Sequence, residues 1–423
     1  MIRVPASMFC GFVALALALA LALAFAAGAA EPSRAKPQAW IAAWGSSPEA
    51  SAPNPKDPLL SLDGQTVRQR VRVSVGGAEI RVRLSNELGA APITVGAATV
   101  GLATDPASVK PGSIRPLTFG GRRTVTIPAS APVLSDPLAL PVASREEISV
   151  SLYFPQAVRS PTVHSAALKR AVVTGPGDFT DTEHVEAKAT STSSILLSGV
   201  LVAPAKPTRV LVALGDSITD GIGSSDEADS GWTGDLVRRV AKAGLALAVV
   251  NQGIGGNQLS HEGFGQSALA RFDRDVLAQA GVTHVVVLEG TNDIGFTGVK
   301  LGGKYLADPA DVRTPQELIG AYRQLIARAH ARGLKIVGAT LMPFEGATLP
   351  GYYSETKEAT RQAVNAWIRS GGAFDGVIDF DAALRDPARP TRLQARYASG
   401  DKLHPNDAGH QAMADAVDLS LFK

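Results

Sequence analysis

The sequence predicts an α/β protein, with a parallel sheet covered by helices on both faces, preceded by an all-β sandwich. Three observations carry that prediction. Between residues 38 and 204, short runs of alternating apolar and polar residues are punctuated by Gly, Pro and Asp, as antiparallel strands are. From residue 208 onward, short and wholly apolar runs alternate with stretches of helical period, which implies strand–helix repetition and a parallel sheet. At 423 residues the chain also exceeds the usual span of one hydrophobic core, so two domains, 38–204 and 208–423, are expected.

Residues 1–30 stand apart from both. Arg3 is the only charged residue before Glu31, and an Ala/Leu-rich run leads to Ala26-Ala27-Gly28-Ala29-Ala30. Small residues after such a run are what a signal peptidase accepts, so 1–30 is expected to be a signal peptide. The rest would then be exported, to the periplasm or beyond the cell. A retained anchor is the competing reading, because the run nears spanning length, but alanine drives insertion weakly. Cleavage leaves no stable membrane anchor. The single cysteine, Cys10, lies inside this segment, so the remaining chain has no disulfide, thiol nucleophile or Cys-based metal site. A net charge of +2 without a long basic run argues against nucleic-acid binding.

In the front part, residues 67–73 read Val-Arg-Gln-Arg-Val-Arg-Val, and Gly76-Gly77 offers a hairpin turn before the alternating run 80–84. Further strands are expected at 93–100, 122–127, 147–154, 171–174 and 194–202. About eight strands so spaced point to an antiparallel sandwich of jelly-roll type. A Pro/Ser/Ala-rich linker is read near 48–58. In the back part, apolar runs at 210–214, 247–250, 284–288, 335–341 and 376–380 are the expected strands. Helices are expected at 232–243, 267–280, 315–332 and 355–370, with a last one after Pro405. Thr314-Pro315-Gln316-Glu317 combines a Thr cap, Pro at the first helical position and Glu three residues on; Gly333 ends that helix.

Active sites of open parallel sheets gather at the carboxyl ends of the strands, which directs attention to four polar segments. Leu214-Gly215-Asp216-Ser217-Ile218-Thr219-Asp220-Gly221 follows the first strand and puts Ser217 at the mouth of the sheet. It is not the Gly-x-Ser-x-Gly elbow, because position 219 is Thr, which disfavours an α/β-hydrolase. Asn251-Gln252-Gly253-Ile254-Gly255-Gly256-Asn257 follows the second, and its paired glycines let a backbone N–H point into a cleft. Glu289-Gly290-Thr291-Asn292-Asp293 follows the third and brings an amide able to donate to an oxyanion. Asp401-Lys402-Leu403-His404-Pro405 precedes the last helix, with a spacing that lets the carboxylate reach the imidazole. Each segment alone has a plain alternative, such as a helix cap, a turn or a surface pair. Their conjunction, three after successive strands and one just before the last helix, is the signal.

Together these blocks resemble the SGNH, or GDSL-type, hydrolases, and the resemblance runs from about residue 208 to 422. It implies a flavodoxin-like three-layer α/β/α fold and a cofactor-independent, metal-free serine esterase or lipase. Carried over, it makes Ser217 the nucleophile, with Asp401 and His404 completing a catalytic triad. The Ser217 backbone, Gly256 and Asn292 are the implied oxyanion donors. Ile218 stands where the eponymous block has Leu, and any apolar residue serves there. The strand-rich front with Glu289–Gly295 is similar to a secreted two-domain subgroup, some members of which are associated with polysaccharide breakdown as acyl or aryl esterases. The implied substrate is a small-molecule or polysaccharide ester, with a short acyl group favoured by the 5% aromatic content. Rival readings are a non-catalytic carbohydrate-binding protein with a relic hydrolase domain, and an acyltransferase or thioesterase at the same site. Oligomeric state has no signature in the sequence.

Several other residues attract notice. His261, His284 and His330 are scattered without metal-site spacing. His410 is expected to pack or face solvent on the last helix. His164, Asn86 and Trp44 either shape a substrate cleft or simply pack, and Glu289 and Asp293 are candidates to orient Asn292.

Overall fold

The computed structural model describes residues 40–52 and 57–423. The expected signal peptide, 1–30, lies outside them, as do residues 53–56 of the expected linker. Elsewhere in that linker Glu49–Ala50 forms a short strand paired with Thr162–His164.

The back part is built on five parallel strands. They are β1 (Arg209–Gly215), β2 (Leu247–Gly253), β3 (Val282–Leu288), β4 (Lys335–Ala339) and β5 (Gly376–Ile378), in the order β2-β1-β3-β4-β5. That is the flavodoxin-type order, with the reversal of winding at β1 and β3. Val210, Leu211, Val212, Ala213 and Leu214 are all fully buried, because a central parallel strand is covered on both faces. Helices α1 (Trp232–Lys242), α2 (Pro315–His330), α3 (Glu355–Ser370) and α4 (Asp407–Ala416) form where the periodicity predicts them. The capping box at α2 is formed in both directions, and Gly333 leaves the helix with φ +68. The helix expected at 267–280 differs: Ala268–Phe272 is α-helical and Asp273–Leu277 is a π turn. This irregularity accompanies the inward-facing pair Arg271 and Asp275, 3.1 Å apart.

The front part is all-β and antiparallel, built mainly on two sheets. One runs Ile41–Gly45, Leu197–Val202, Gly77–Asn86, Leu138–Val142, with Ala131–Leu134 also paired to Gly77–Asn86. The other runs Ala189–Ser191, Ala171–Pro176, Gln65–Arg72, Glu147–Phe154, Ala97–Leu102, Arg115–Pro116. Among the described residues, sixteen strand segments lie between Ile41 and Val202, twice the expected number. Two expected strands split: 93–100 breaks at Gly96, and 194–202 breaks at Leu196, whose φ is +58. Leu138–Val142 escaped notice because it contains Pro141, which is tolerated there since the strand is a sheet edge. The Arg face of Gln65–Arg72 is not left to solvent. Arg68 is 1% exposed and donates to the carbonyls of Ala107, Thr182 and Glu183 and to Ser151 Oγ.

The two parts share one continuous apolar core. Ile41–Gly45 lies against β2, where a Cβ at Gly45 would collide with Val250 and Gln252. Ala42 N–H donates to the Ala280 carbonyl (2.9 Å), and Val249 N–H donates to Ser74 Oγ (3.2 Å).

Candidate active site

β1 ends in Gly215, where any Cβ would collide with the Leu288 carbonyl and Thr219, so only glycine allows the chain to leave the sheet here. Asp216 follows as a helix cap, accepting from Ile218 N–H (2.9 Å). Ser217 is thereby the first residue of a one-turn helix, Ser217–Asp220, that closes on Gly221 at φ +109. At the other end of the chain, Asp401 Oδ1 accepts from Ser399 Oγ (2.7 Å) and from the backbone N–H groups of Leu403 and His404 (both 2.9 Å). Burial opposes ionisation of this carboxyl, but the hydrogen bond from His404 and those from the backbone and Ser399 prevail and hold its pKa well below the ordinary value.

An ionised carboxylate can only accept, so the 2.6 Å contact between Asp401 Oδ2 and His404 Nδ1 places a proton on Nδ1. Nε2 is left as an acceptor. Ser217 Oγ lies 2.8 Å from it and donates to it. Residues 187 positions apart thus form one hydrogen-bonded chain: carboxylate, imidazole, hydroxyl. Ser217 is 9% exposed and therefore screened, but not sealed, from water.

The loop after β2 is held against that helix from two directions. Asn251 Nδ2 donates to the Thr219 carbonyl (2.6 Å), and Ile254 N–H donates to the Gly215 carbonyl (3.1 Å). Asn257 N–H then closes a turn onto the Ile254 carbonyl (3.1 Å). Gly256 is the third residue of that turn at φ +72, a conformation that favours glycine, and a side chain there would strike Phe264. Among the described residues its N–H meets no protein acceptor.

After β3, Gly290 at φ +114 starts the short helix Thr291–Gly295, and Asn292 is 4% exposed on it. Its Nδ2 donates to the Asn257 carbonyl (2.9 Å), while its Oδ1 accepts from Tyr352 Oη (2.7 Å). The amide is therefore fixed in one orientation, and its second hydrogen is unclaimed among the described residues. Glu289 and Asp293 do not orient it. Asp293 faces the neighbouring loop instead, accepting from Leu259 N–H (2.6 Å), Ser260 N–H (3.1 Å) and Ser260 Oγ (3.0 Å). Glu289 is fully buried, its carboxylate oxygens have no hydrogen-bond partner among the described residues, and Arg271 is 3.7 Å away.

Three carboxyls, Asp216, Glu289 and Asp293, thus lie buried around the end of the strand that leads to Ser217. Burial pushes Asp216 up to about 7 and Glu289 well above its ordinary value; it raises Asp293 too, against the hydrogen bonds from the loop. Arg271, with no solvent exposure, is the nearby counter-charge and a structural hub. It donates to the carbonyls of Gly215 (2.9 Å) and Gln252 (2.7 Å), to Asn257 Oδ1 (3.0 Å) and to Ser47 Oγ (2.9 Å) of the front part. One guanidinium ties the ends of β1 and β2 to the loop bearing Gly256. Neither Arg271 nor Tyr352 was identified from sequence, because an Arg or a Tyr between helices carries no local pattern.

His410 and His284 are accounted for by packing. His410 is fully buried, accepting from Trp232 N–H (3.2 Å) and lying 3.2 Å from the Ile222 carbonyl, rather than facing solvent. His284 packs edge-on to Phe422, and burial lowers it to about 4. His164 does reach the site from the front part: its Nε2 is 3.0 Å from Asp220 Oδ1. Asn86 is buried and donates to the carbonyls of Ala91, Ile127 and Pro128, a packing role. Among the described residues no group of His, Cys, Asp and Glu is arranged to hold a metal.

Residues 213–412 match the GDSL-like lipase/acylhydrolase family, which bears out the resemblance read from the sequence blocks. All five candidate residues fall inside that span. Solved structures similar to the chain include a GDSL-like lipase from Bacteroides thetaiotaomicron (19% identity, 52% of this chain and 92% of that one, TM-score 0.37). A lipase/acylhydrolase from Enterococcus faecalis (19%, 49% and 93%, TM-score 0.36) and TesA (21%, 51% and 98%, TM-score 0.37) are others. At such scores they add nothing to the family match. No curated protein matches the chain.

Proposed function

We propose that this chain, whose residues 213–412 form a GDSL-type hydrolase domain, is an exported serine esterase working through an acyl-enzyme on Ser217. The observation that carries the reading is the hydrogen-bonded chain Asp401–His404–Ser217, with an acceptor nitrogen aimed at the hydroxyl. In this reading His404 Nε2 takes the proton as Ser217 Oγ bonds to the ester carbonyl carbon. Asp401 stabilises the imidazolium. The oxyanion accepts from the Asn292 amide and from the backbone N–H groups of Gly256 and Ser217. As the carbon–oxygen bond to the alcohol breaks, His404 returns its proton to the leaving oxygen. Water then attacks the acyl-enzyme by the same route, releasing the acid and restoring the serine.

The acyl group is taken to be short, acetyl on a small molecule or a polysaccharide. Support for this comes from the low aromatic content. Export rests on the reading of residues 1–30, and cell fractionation tests it separately.

The decisive experiment is Ser217→Ala on p-nitrophenyl acetate, followed by a chain-length series and acetylated xylan with the unaltered protein. Activity should fall to background, a loss on the order of 10⁶ in kcat as for other triad serines. Near-normal hydrolysis by that variant removes the mechanism. A rate rising steadily with chain length removes the short-acyl part alone.

A further inference from the structure

The helix bearing Ser217 is a single turn, and a helix that short does not hold its own position. What grips its ends decides where the hydroxyl points. The start is capped by Asp216, and the Thr219 carbonyl is held by Asn251. The far end, Asp220, is gripped from the front part of the chain. His164 Nε2 donates to Asp220 Oδ1 (3.0 Å), while Nδ1 lies 3.1 Å from the Ser47 carbonyl and 3.2 Å from Glu49 Oε1.

Both ring nitrogens face only acceptors, so both carry a proton and the ring is an imidazolium between two carboxylates. The side chains of Glu49, His164 and Asp220 are 10%, 7% and 6% exposed, so water screens the pairs little. Glu49 is itself fixed, accepting from Ser165 N–H (2.8 Å) and Ser165 Oγ (3.2 Å).

We propose that His164 is a positioning residue for the nucleophile: clamped between Glu49 and Asp220, it fixes the far end of the Ser217 helix and so the direction of the hydroxyl toward His404. The inference rests on the esterase reading above. It gives the front part a role in catalysis without contact to substrate.

A pH dependence follows. Burial alone would lower the His164 pKa, but Asp220 and Glu49 outweigh it and hold it well above the ordinary value. The charged groups around it are Glu49 from the front part, Asp220 on the nucleophile's helix and Arg271, which acts on Asp220 from the π-turn segment. Arg70 shares with His164 and Asp220 the wall of a cavity of about 170 Å³, large enough for water to exchange the proton. Activity should therefore decline in the alkaline range as His164 loses its charge.

The test is background-corrected hydrolysis of p-nitrophenyl acetate by the full chain across the pH range, for the unaltered protein, His164→Gln, Asp220→Asn and Ser217→Ala. His164→Gln should lower kcat about tenfold with KM changed less than about twofold, since a misdirected nucleophile alters reaction more than binding. It should also abolish the alkaline decline, and Asp220→Asn should move that decline to lower pH. An unaltered kcat and decline in His164→Gln overturns the proposal. If that variant does not fold, an unmoved decline in Asp220→Asn does so, as does a flat kcat from neutral to alkaline pH in the unaltered protein. Full activity in Ser217→Ala would instead strike the esterase reading itself.

Discussion

In the back part of the chain five strands run parallel, so the loops at their carboxyl ends collect on one edge, and Ser217, Gly256 and Asn292 come from three of them. In the front part neighbouring strands run antiparallel, so successive loops alternate between opposite edges. Polar residues are buried in both, but they do different work. Asn292 keeps one hydrogen unclaimed, whereas Arg68 spends its donors on loop carbonyls. Sheet direction decides whether buried polarity converges on a point or is consumed in holding loops.

That contrast can be broken by matched substitutions. The largest effect is expected from Asn292→Ala, which should reduce kcat about 10²- to 10³-fold on p-nitrophenyl acetate, the usual consequence of losing one oxyanion donor. Its unfolding midpoint in urea should move much less. Arg68→Met should do the reverse: three loop carbonyls lose a charged donor, destabilising the fold by about 2–3 kcal/mol in urea unfolding, with kcat of the folded fraction unchanged. A large kcat loss there would mean the front part feeds catalysis more broadly than through His164.

The smallest and most specific effect concerns Asp216. Its folded pKa, about 7, lies above the ordinary 3.8, so its contribution to stability is fully present below about 3.8 and is lost as pH rises through about 7. Asp216→Asn keeps an acceptor for Ile218 N–H and removes the buried charge. Its Tm relative to the unaltered protein should therefore climb by a few degrees between acid and mildly alkaline pH, in calorimetric scans. A constant difference would show that Glu289 or Asp293, which share the cluster, carries the titration instead.

Much of the site was legible because its residues sit on local signals. Ser217, Gly256 and Asn292 each follow an apolar run that reads as a strand, and Asp401 and His404 lie three positions apart, with Pro405 and then the last helix after them. The capping box at α2 was legible for the same reason, since its partners are neighbours in the chain. The front part was less so. Its strands are short and broken at Gly96 and Leu196, and one carries a proline, so alternation over a few residues could not count them.

By itself, then, the sequence determined the strand–helix alternation of the back part, the strand-end positions of Ser217, Gly256 and Asn292, the spacing of Asp401 and His404, and the chemistry these residues can perform. Only the folded chain decided what aims them. Tyr352 meets Asn292 across 60 positions, His164 meets Asp220 across 56, and Arg271 meets Ser47 across 224. Such contacts leave no trace in local periodicity, because a hydrogen bond between distant segments constrains neither partner's neighbours and exists only once packing has brought both to the same place.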